Sequence, residues 1–539
     1  VSQHQAFRRA AVPPQLAQQM QAITLPAPTR GIIQNENEAF MAPGAAVICD
    51  NWAPTMKGVK LRGGCVRWCE LPETTPVISG FQYASGNVQK MFAGNATNLY
   101  DVTATAPVLV KAGQASGNYC ASQLANQAGD FMIVVNDAGD YPLRYDGAAW
   151  TTLNAGEITG PAGSSVVAGH NLVYVWKYRN RWFFIEGGTM NAWYLPLNAI
   201  QGALQMIPLS GAATKGGRLL FGATWSLDAG DGIDDKCVFV TDLGELLIFT
   251  GGDPSSAANW RQEGRYQTPP PMGMNAHMAL GGDLLLMTVE GIVPISAAIT
   301  KTSEQLELSA ITRAIKPMWR DEVNAKRAWS WTMENWNEYG GIFVTWPGGN
   351  VGNRYCAAVN AATGAWSRFV GYDATCFLRL RGDLFFGTQD GIVMQADRTG
   401  YDDGMPYTAT LVGGWEMFAS PPNTITWRQA RAAFAAAGNQ PFQPQLSATA
   451  DYVVTLPTAP SAGPDPGVAD VWDEGLWDQA KWDQPAPGQP VVRNTGWVSI
   501  GITGFSHAPI VQVTVAQQAK PDVELISISA TYDRLGVNV

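Results

Sequence analysis

Gly282-Asp283-Leu284-Leu285-Leu286-Met287-Thr288-Val289-Glu290-Gly291-Ile292-Val293 returns further along the chain as Gly382-Asp383-Leu384-Phe385-Phe386-Gly387-Thr388-Gln389-Asp390-Gly391-Ile392-Val393. Each copy reads as a strand, an acidic-Gly turn and a second strand, because glycine takes the positive φ of a tight hairpin without steric cost. Working outward, further candidate turn glycines are Gly94, Gly139, Gly188, Gly244 and Gly349. With Gly291 and Gly391 they make seven positions, spaced on average about 50 residues apart, the period of a four-stranded propeller blade. Short apolar runs such as Phe131-Met132-Ile133-Val134-Val135, Leu172-Val173-Tyr174-Val175-Trp176 and Leu246-Leu247-Ile248-Phe249 fit strands between such turns. Polar turns run into a tryptophan at Trp150, Trp260 and Trp366 and are expected to close blades. A tandem array buries its apolar faces only by stacking neighbours, so the spacing predicts six or seven blades closed into a ring.

Composition agrees with a turn-rich β protein. Of 539 residues, 46% are hydrophobic and only 15% charged, with Gly 57 and Trp 20, which argues against disorder or coiled coil. The formal net charge of -10 makes the chain a poor sequence-independent DNA binder, since affinity for phosphate comes from Lys and Arg. The start, Val1 to Arg9, lacks an apolar core, so no secretory signal is expected. No apolar run is long enough to span a membrane as a helix.

The expected class is all-β: a six- to seven-bladed β-propeller over 76–405, a C-terminal β-sandwich or barrel platform over 406–539, and an extended N-terminal arm over 1–75 that contacts the platform. Within the arm, Gln15 to Ile23 suggests a short helix. Ser303 to Val323 reads as a helix inserted between blades, with Ser303 as N-cap and Leu306, Ile311, Ile315 and Met318 on one face. Arg431 to Ala437 suits either helix or strand. The proline-rich stretch 456–491 reads as an exposed loop.

That loop carries Trp472-Asp473, Trp477-Asp478 and Trp482-Asp483. The five-residue step fits neither a helix face nor a strand face. Two readings stand: a loop pinned to its own domain by Trp rings, or a contact between subunits, where Trp is enriched. Trp472, Trp477 and Trp482 are therefore the candidate interface residues.

Other motifs point to ordinary structural roles. Cys49, Cys65, Cys69, Cys120, Cys237, Cys356 and Cys376 are odd in number and irregular in spacing, which predicts buried thiols and not a disulfide framework. Cys65 and Cys69 lack the further ligands of a zinc site. Asp228, Asp231, Asp234 and Asp235 offer oxygen ligands for Ca²⁺, but their spacing is not that of an EF-hand, and a solvated turn is the plainer reading. His4, His170, His277 and His507 are isolated, and no nucleophile elbow, zinc-protease helix or phosphate loop is present. No catalytic, cofactor or metal residue is assigned, and an enzyme is not expected.

An ordered set of pieces resembles the tail nozzle proteins of short-tailed bacteriophages, also called packaged-DNA stabilisation proteins. The pieces include Asn51-Trp52-Ala53-Pro54-Thr55 with Leu61-Arg62-Gly63-Gly64, Leu99-Tyr100-Asp101-Val102-Thr103, Gly232-Ile233-Asp234-Asp235, and Gly252-Asp253-Pro254-Ser255-Ser256 with Trp260. The Trp-Asp repeats complete the set. The resemblance implies a propeller on a β platform, six copies in a ring forming a distal tail tube in the virion, and a central channel that retains and then conducts DNA. It implies an adaptor or portal-side ring and tail fibres as partners. An acidic wall would keep DNA phosphates from sticking, over a screening distance of about 8–10 Å at physiological salt. The alternative from a different class is a carbohydrate-binding or carbohydrate-cleaving propeller with aromatic sugar platforms; a glycosidase would need two convergent carboxylates. A third reading is a propeller scaffold for protein partners.

Overall fold

The computed structural model describes residues 20–226, 235–337, 339–348, 354–418, 424–436, 442–463 and 491–534. Six small antiparallel sheets follow one another as a β-propeller, together with four antiparallel strands of a larger sheet, Met333–Trp336, Gly341–Val344, Tyr355–Asn360 and Trp366–Val370, which form the sixth blade in chain order. Five of the six small sheets are four-stranded, and the sheet at His277–Leu280, Asp283–Thr288 and Gly291–Pro294 has three strands. In that sheet the third strand runs into the helix Ile295–Thr300. The innermost strands include Ser79–Ser85, Tyr119–Asn126, Leu172–Tyr178 and Cys376–Leu380, each packed against its neighbours around the ring.

The glycine rhythm marks one structural position. Gly139, Gly188, Gly244, Gly291 and Gly391 all have positive φ and lie at the connection from the second to the third strand of successive sheets. Gly94 ends the second strand just before the same turn, and Gly349 lies outside the described residues. Trp150, Trp260 and Trp366 each begin a fourth strand, so the preceding turns lie inside blades and not between them.

The propeller is closed by a strand from the N-terminal side. Gly64–Glu70 pairs antiparallel with Ile392–Thr399 as the outermost strand of the last blade. This strand falls in the segment expected as an irregular arm. The ring is closed when its last sheet is completed by chain from the other end, and Gly64–Glu70, with Gly64, Cys65 and Cys69 buried, supplies that strand.

The platform is a two-sheet sandwich built from both ends of the chain. One sheet runs Trp52–Pro54, Val59–Leu61, Val523–Arg534, Ile425–Ala436, with Val491–Asn494 and Val498–Gly504 on the far edge and Gln21–Pro26 paired to Val523–Arg534. The described part of the expected helix Gln15 to Ile23 is thus a strand: Ile23 pairs with Ala530. The alanine-rich stretch to Ala436 is also strand, because its alternate residues Ala430, Ala432, Phe434 and Ala436 face the core. The second sheet holds Ala46–Asp50, Tyr407–Gly413, His507–Val515 and Pro444–Ala450. It continues directly into the sixth blade, because Ala46–Asp50 pairs parallel with Trp366–Val370 at Asp50 and Arg368. Propeller and platform therefore share one eight-stranded sheet and one apolar core containing Trp52, Trp366, Leu411, Phe434, Val511 and Leu525.

The insertion before the sixth blade is helical but broken. Ser303–Leu306, Glu307–Ser309, Ile311–Ile315 and Lys316–Lys326 are separate turns and helices, and the chain extends at Ala310 with ψ 131. Thr302, not Ser303, is the N-cap residue. Trp319 from the last helix packs edge-on to Trp331 at 5.4 Å, and its Nε1 donates to the Thr288 carbonyl.

Candidate functional site

Three places concentrate chemistry: the junction of the two domains, the propeller axis and one open edge of the platform. The junction is set by Arg62, which follows Val59–Leu61 where the chain leaves the platform. Its side chain is fully buried. Nε donates to Asn51 Oδ1 at 2.8 Å, Nη1 to the Gly63 carbonyl and Asp402 Oδ1, and Nη2 to the Val370 carbonyl and Asp402 Oδ2. All five guanidinium hydrogens are thereby placed, which a buried cation requires. The rings of Tyr372 and Tyr407 cover the group at 4.4 and 4.2 Å. The nearby cation draws the Tyr372 and Tyr407 phenols down, but burial is the larger influence and pushes both up. A second pair, Arg368 with Asp50, makes two 2.7 Å bonds where the shared sheet passes between domains.

On the axis, a cavity of about 220 Å³ is lined by inner strands and includes His277, Tyr174 and Glu334. Tyr174 Oη and His277 Nε2 are 2.5 Å apart, and Phe221 stacks on the imidazole at 4.6 Å. Burial pushes His277 down to about 4. Burial pushes the Glu334 carboxyl up to about 7, against the pull of Arg379 at 3.8 Å. Glu334 is the one carboxylate among the residues lining this cavity.

The open edge lies at Val491–Asn494 and Val498–Gly504. Both strands pair with Ile425–Ala436, and among the described residues neither pairs with a strand beyond. Val491 is 54% exposed, Val492 61% and Trp497 43%, and Arg431 lies 4.8 Å from the Trp497 ring centroid. Arg493 is the one charged residue in the two strands. An exposed, mostly apolar edge offers unpaired backbone groups to another chain.

The residues singled out in the sequence fall as follows. Trp472, Trp477 and Trp482 lie outside the described residues, as do His4, Asp228, Asp231 and Asp234. Asp235 is buried and accepts from Ser226 Oγ at 2.5 Å. All seven cysteines are free and buried, and burial pushes Cys69 up to about 12. Cys65 and Cys69 belong to two different core clusters. His170 stacks on Tyr141 at 3.7 Å, and His507 is fully buried. Among the described residues no group of three or more His, Cys, Asp or Glu could hold a metal ion, and no helix is long and apolar enough to cross a membrane. Nothing local in the sequence marks the junction clamp: Arg62 stands in the stretch Leu61-Arg62-Gly63-Gly64, and its partner Asp402 lies 340 residues away.

No protein-family model matches the sequence, and no curated protein matches it. Solved structures with a similar fold include an extracellular domain of a one component system from B. thetaiotaomicron, at 9% identity and TM-score 0.39, covering 74% of this chain. This chain spans 50% of that one. Sqt1 of Saccharomyces cerevisiae is 11% identical with TM-score 0.36, over 62% of this chain and 99% of its own. The beta-propeller domain of Cps50 (Swd1) from Myceliophteria thermophila is 11% identical with TM-score 0.39, over 63% of this chain and 100% of its own.

Proposed function

We propose that the chain is a structural virion protein, a subunit of a homo-hexameric tail nozzle whose central channel retains and then conducts DNA. The observation that carries the reading is the apolar edge Val491–Gly504 on a platform locked to the propeller: a self-pairing surface on a stiff body suits a load-bearing ring. The net charge of -10 suits a wall past which DNA slides without adhering. In this reading the work is mechanical, with no covalent step, and the remaining faces meet an adaptor or portal-side ring and tail fibres.

Native mass spectrometry and electron microscopy of the purified full chain test it. Six-fold rings with a central opening are expected. A chain that stays monomeric across the micromolar range, or that retards duplex DNA in a gel at physiological salt, overturns the proposal.

A further inference from the structure

A second cavity lies between the domains and takes no part in the assembly reading. It encloses about 580 Å³ and is walled by Pro54, Thr55 and Lys60 from the platform and by Trp336, Tyr339 and Ser367 from the sixth blade. That volume is within the usual range of small-ligand sites.

Its wall is aromatic where it is flat. The turn after Met333–Trp336 folds Tyr339 back onto Trp336, with centroids 5.1 Å apart and planes 17° apart. Phe343 meets the Tyr339 ring at 5.5 Å on its edge. The pair is thus held rigid before any ligand arrives.

Two hydroxyls on this wall are reached by solvent and make no hydrogen bond to a described residue. Ser367 is only 2% exposed, yet its Oγ makes no hydrogen bond to a described residue. The same holds for Tyr339 Oη, while the neighbouring Tyr372 Oη donates to the Gly63 carbonyl. Tyr339 is half-buried and both oxygens are reached by solvent, so in this cavity a ligand's polar groups would take the place of water on them.

The charges on the wall cancel. Lys60 pairs with Asp522 at 2.7 Å, Arg398 with Asp383 at 3.6 Å, and Lys520 with Asp397. Each cation that lines the cavity is matched by a carboxylate, so neither an anion nor a cation meets an uncompensated partner there. A flat aromatic wall, open hydroxyls and balanced charge together suit a neutral molecule with one apolar face and many hydroxyls.

We infer that the cavity between Tyr339, Ser367 and Lys60 is a binding site for a neutral saccharide. The sugar's C–H face would lie along the aromatic wall, and its hydroxyls would bond Tyr339 Oη and Ser367 Oγ. Because platform and blade both contribute wall, an occupied site would also stiffen the junction. The inference stands whether or not the chain assembles into a ring.

Saturation-transfer NMR on the full chain tests it. Cellobiose, maltose, lactose and diacetylchitobiose are the neutral probes, with sialyllactose and inorganic phosphate as charged controls. Each is used at about 10 mM, where even a millimolar affinity fills the site. Transfer to at least one neutral disaccharide, and to neither control alone, is expected. Titration of the Tyr339→Phe/Ser367→Ala double variant with that disaccharide is expected to give a Kd about ten-fold weaker, the loss of two ordinary hydrogen bonds. Thermal melting establishes that the double variant is folded, and Ser367→Ala alone repeats the titration should it not be. No transfer to any neutral probe, binding of a charged probe only, or an unchanged Kd in a folded variant overturns the inference.

Discussion

The Arg62 guanidinium meets the Asp402 carboxylate through two near-parallel hydrogen bonds, of 2.9 and 2.6 Å, across 340 residues of chain. Arg62 lies where the chain passes from platform to propeller, and Asp402 where it returns, just before Tyr407–Gly413. One ion pair therefore ties two backbone crossings that flank the closing blade. Asp402→Leu leaves a fully buried cation with two donors unmet, and is expected to destabilise the protein by about 3–5 kcal/mol in chemical denaturation. Arg62→Lys is expected to cost nearly as much, since an ammonium cannot make the planar, five-donor set. Variants as stable as the parent would show that the clamp is dispensable.

Acid should weaken the fold through its buried histidines. His277 falls to about 4 from its ordinary 6.5, and burial also lowers His507. A depressed histidine contributes stability above the unfolded value of 6.5 and loses it as pH falls through 6.5 toward 4, because the unfolded chain binds the proton first. Melting temperature is expected to drop across that window, and His277→Gln to flatten part of the drop.

Glu334 acts with the opposite sign. Its carboxyl is raised from 4.5 to about 7, so it contributes stability below pH 4.5 that is lost as pH rises through 7. Glu334→Gln is expected to melt roughly 2 °C or more above the parent at pH 8, with the gain gone by pH 5. A gain that is the same at both pH values would mean the group does not titrate in this range.

Lysines placed on the open edge separate assembly from folding. Val492→Lys and Val498→Lys lie at exposed positions, so melting is expected to shift by no more than about 0.5 kcal/mol equivalent. Ring formation, read by native mass, is expected to fail in the double variant. Rings that persist would place the contact elsewhere on the surface.

Ring closure depends on a missing side chain. A Cβ on Gly64 would stand 1.9 Å from the Tyr401 carbonyl oxygen, a backbone atom that cannot move aside. Gly64→Ala is expected to destabilise by about 1–3 kcal/mol or more. Limited proteolysis should then cut first in the Cys376–Thr399 blade, and cleavage elsewhere would argue against a local opening.

The propeller was legible because its signal is local. Acidic-Gly and Gly-containing turns recur at the same connection, from Gly139 to Gly391, and alternating strands flank them. The platform was legible only in part. Pairings such as Gln21–Pro26 with Val523–Arg534 join residues from opposite ends, and nothing near Ile23 announces Ala530 as its neighbour. The described end of the helix expected at Gln15 to Ile23 is strand for that reason: tertiary pairing decides a short amphipathic run. The helix expected over Ser303 to Val323 is a series of short helices and turns that runs on to Lys326, broken at Ala310, which carries no breaker signal of its own. The sites were least legible. Arg62, Tyr339 and Ser367 are common residue types whose meaning comes from partners, or missing partners, far along the chain.

Closure of the last blade by Gly64–Glu70, and of the platform by Gln21–Pro26, sets an order on biosynthesis. These two strands leave the ribosome long before their partners and must wait, unpaired, until Ile392–Thr399 and Val523–Arg534 have been translated. Such a nascent chain presents bare β edges for most of its time in synthesis, so its yield in a host cell should rise with holdase capacity more than with codon speed.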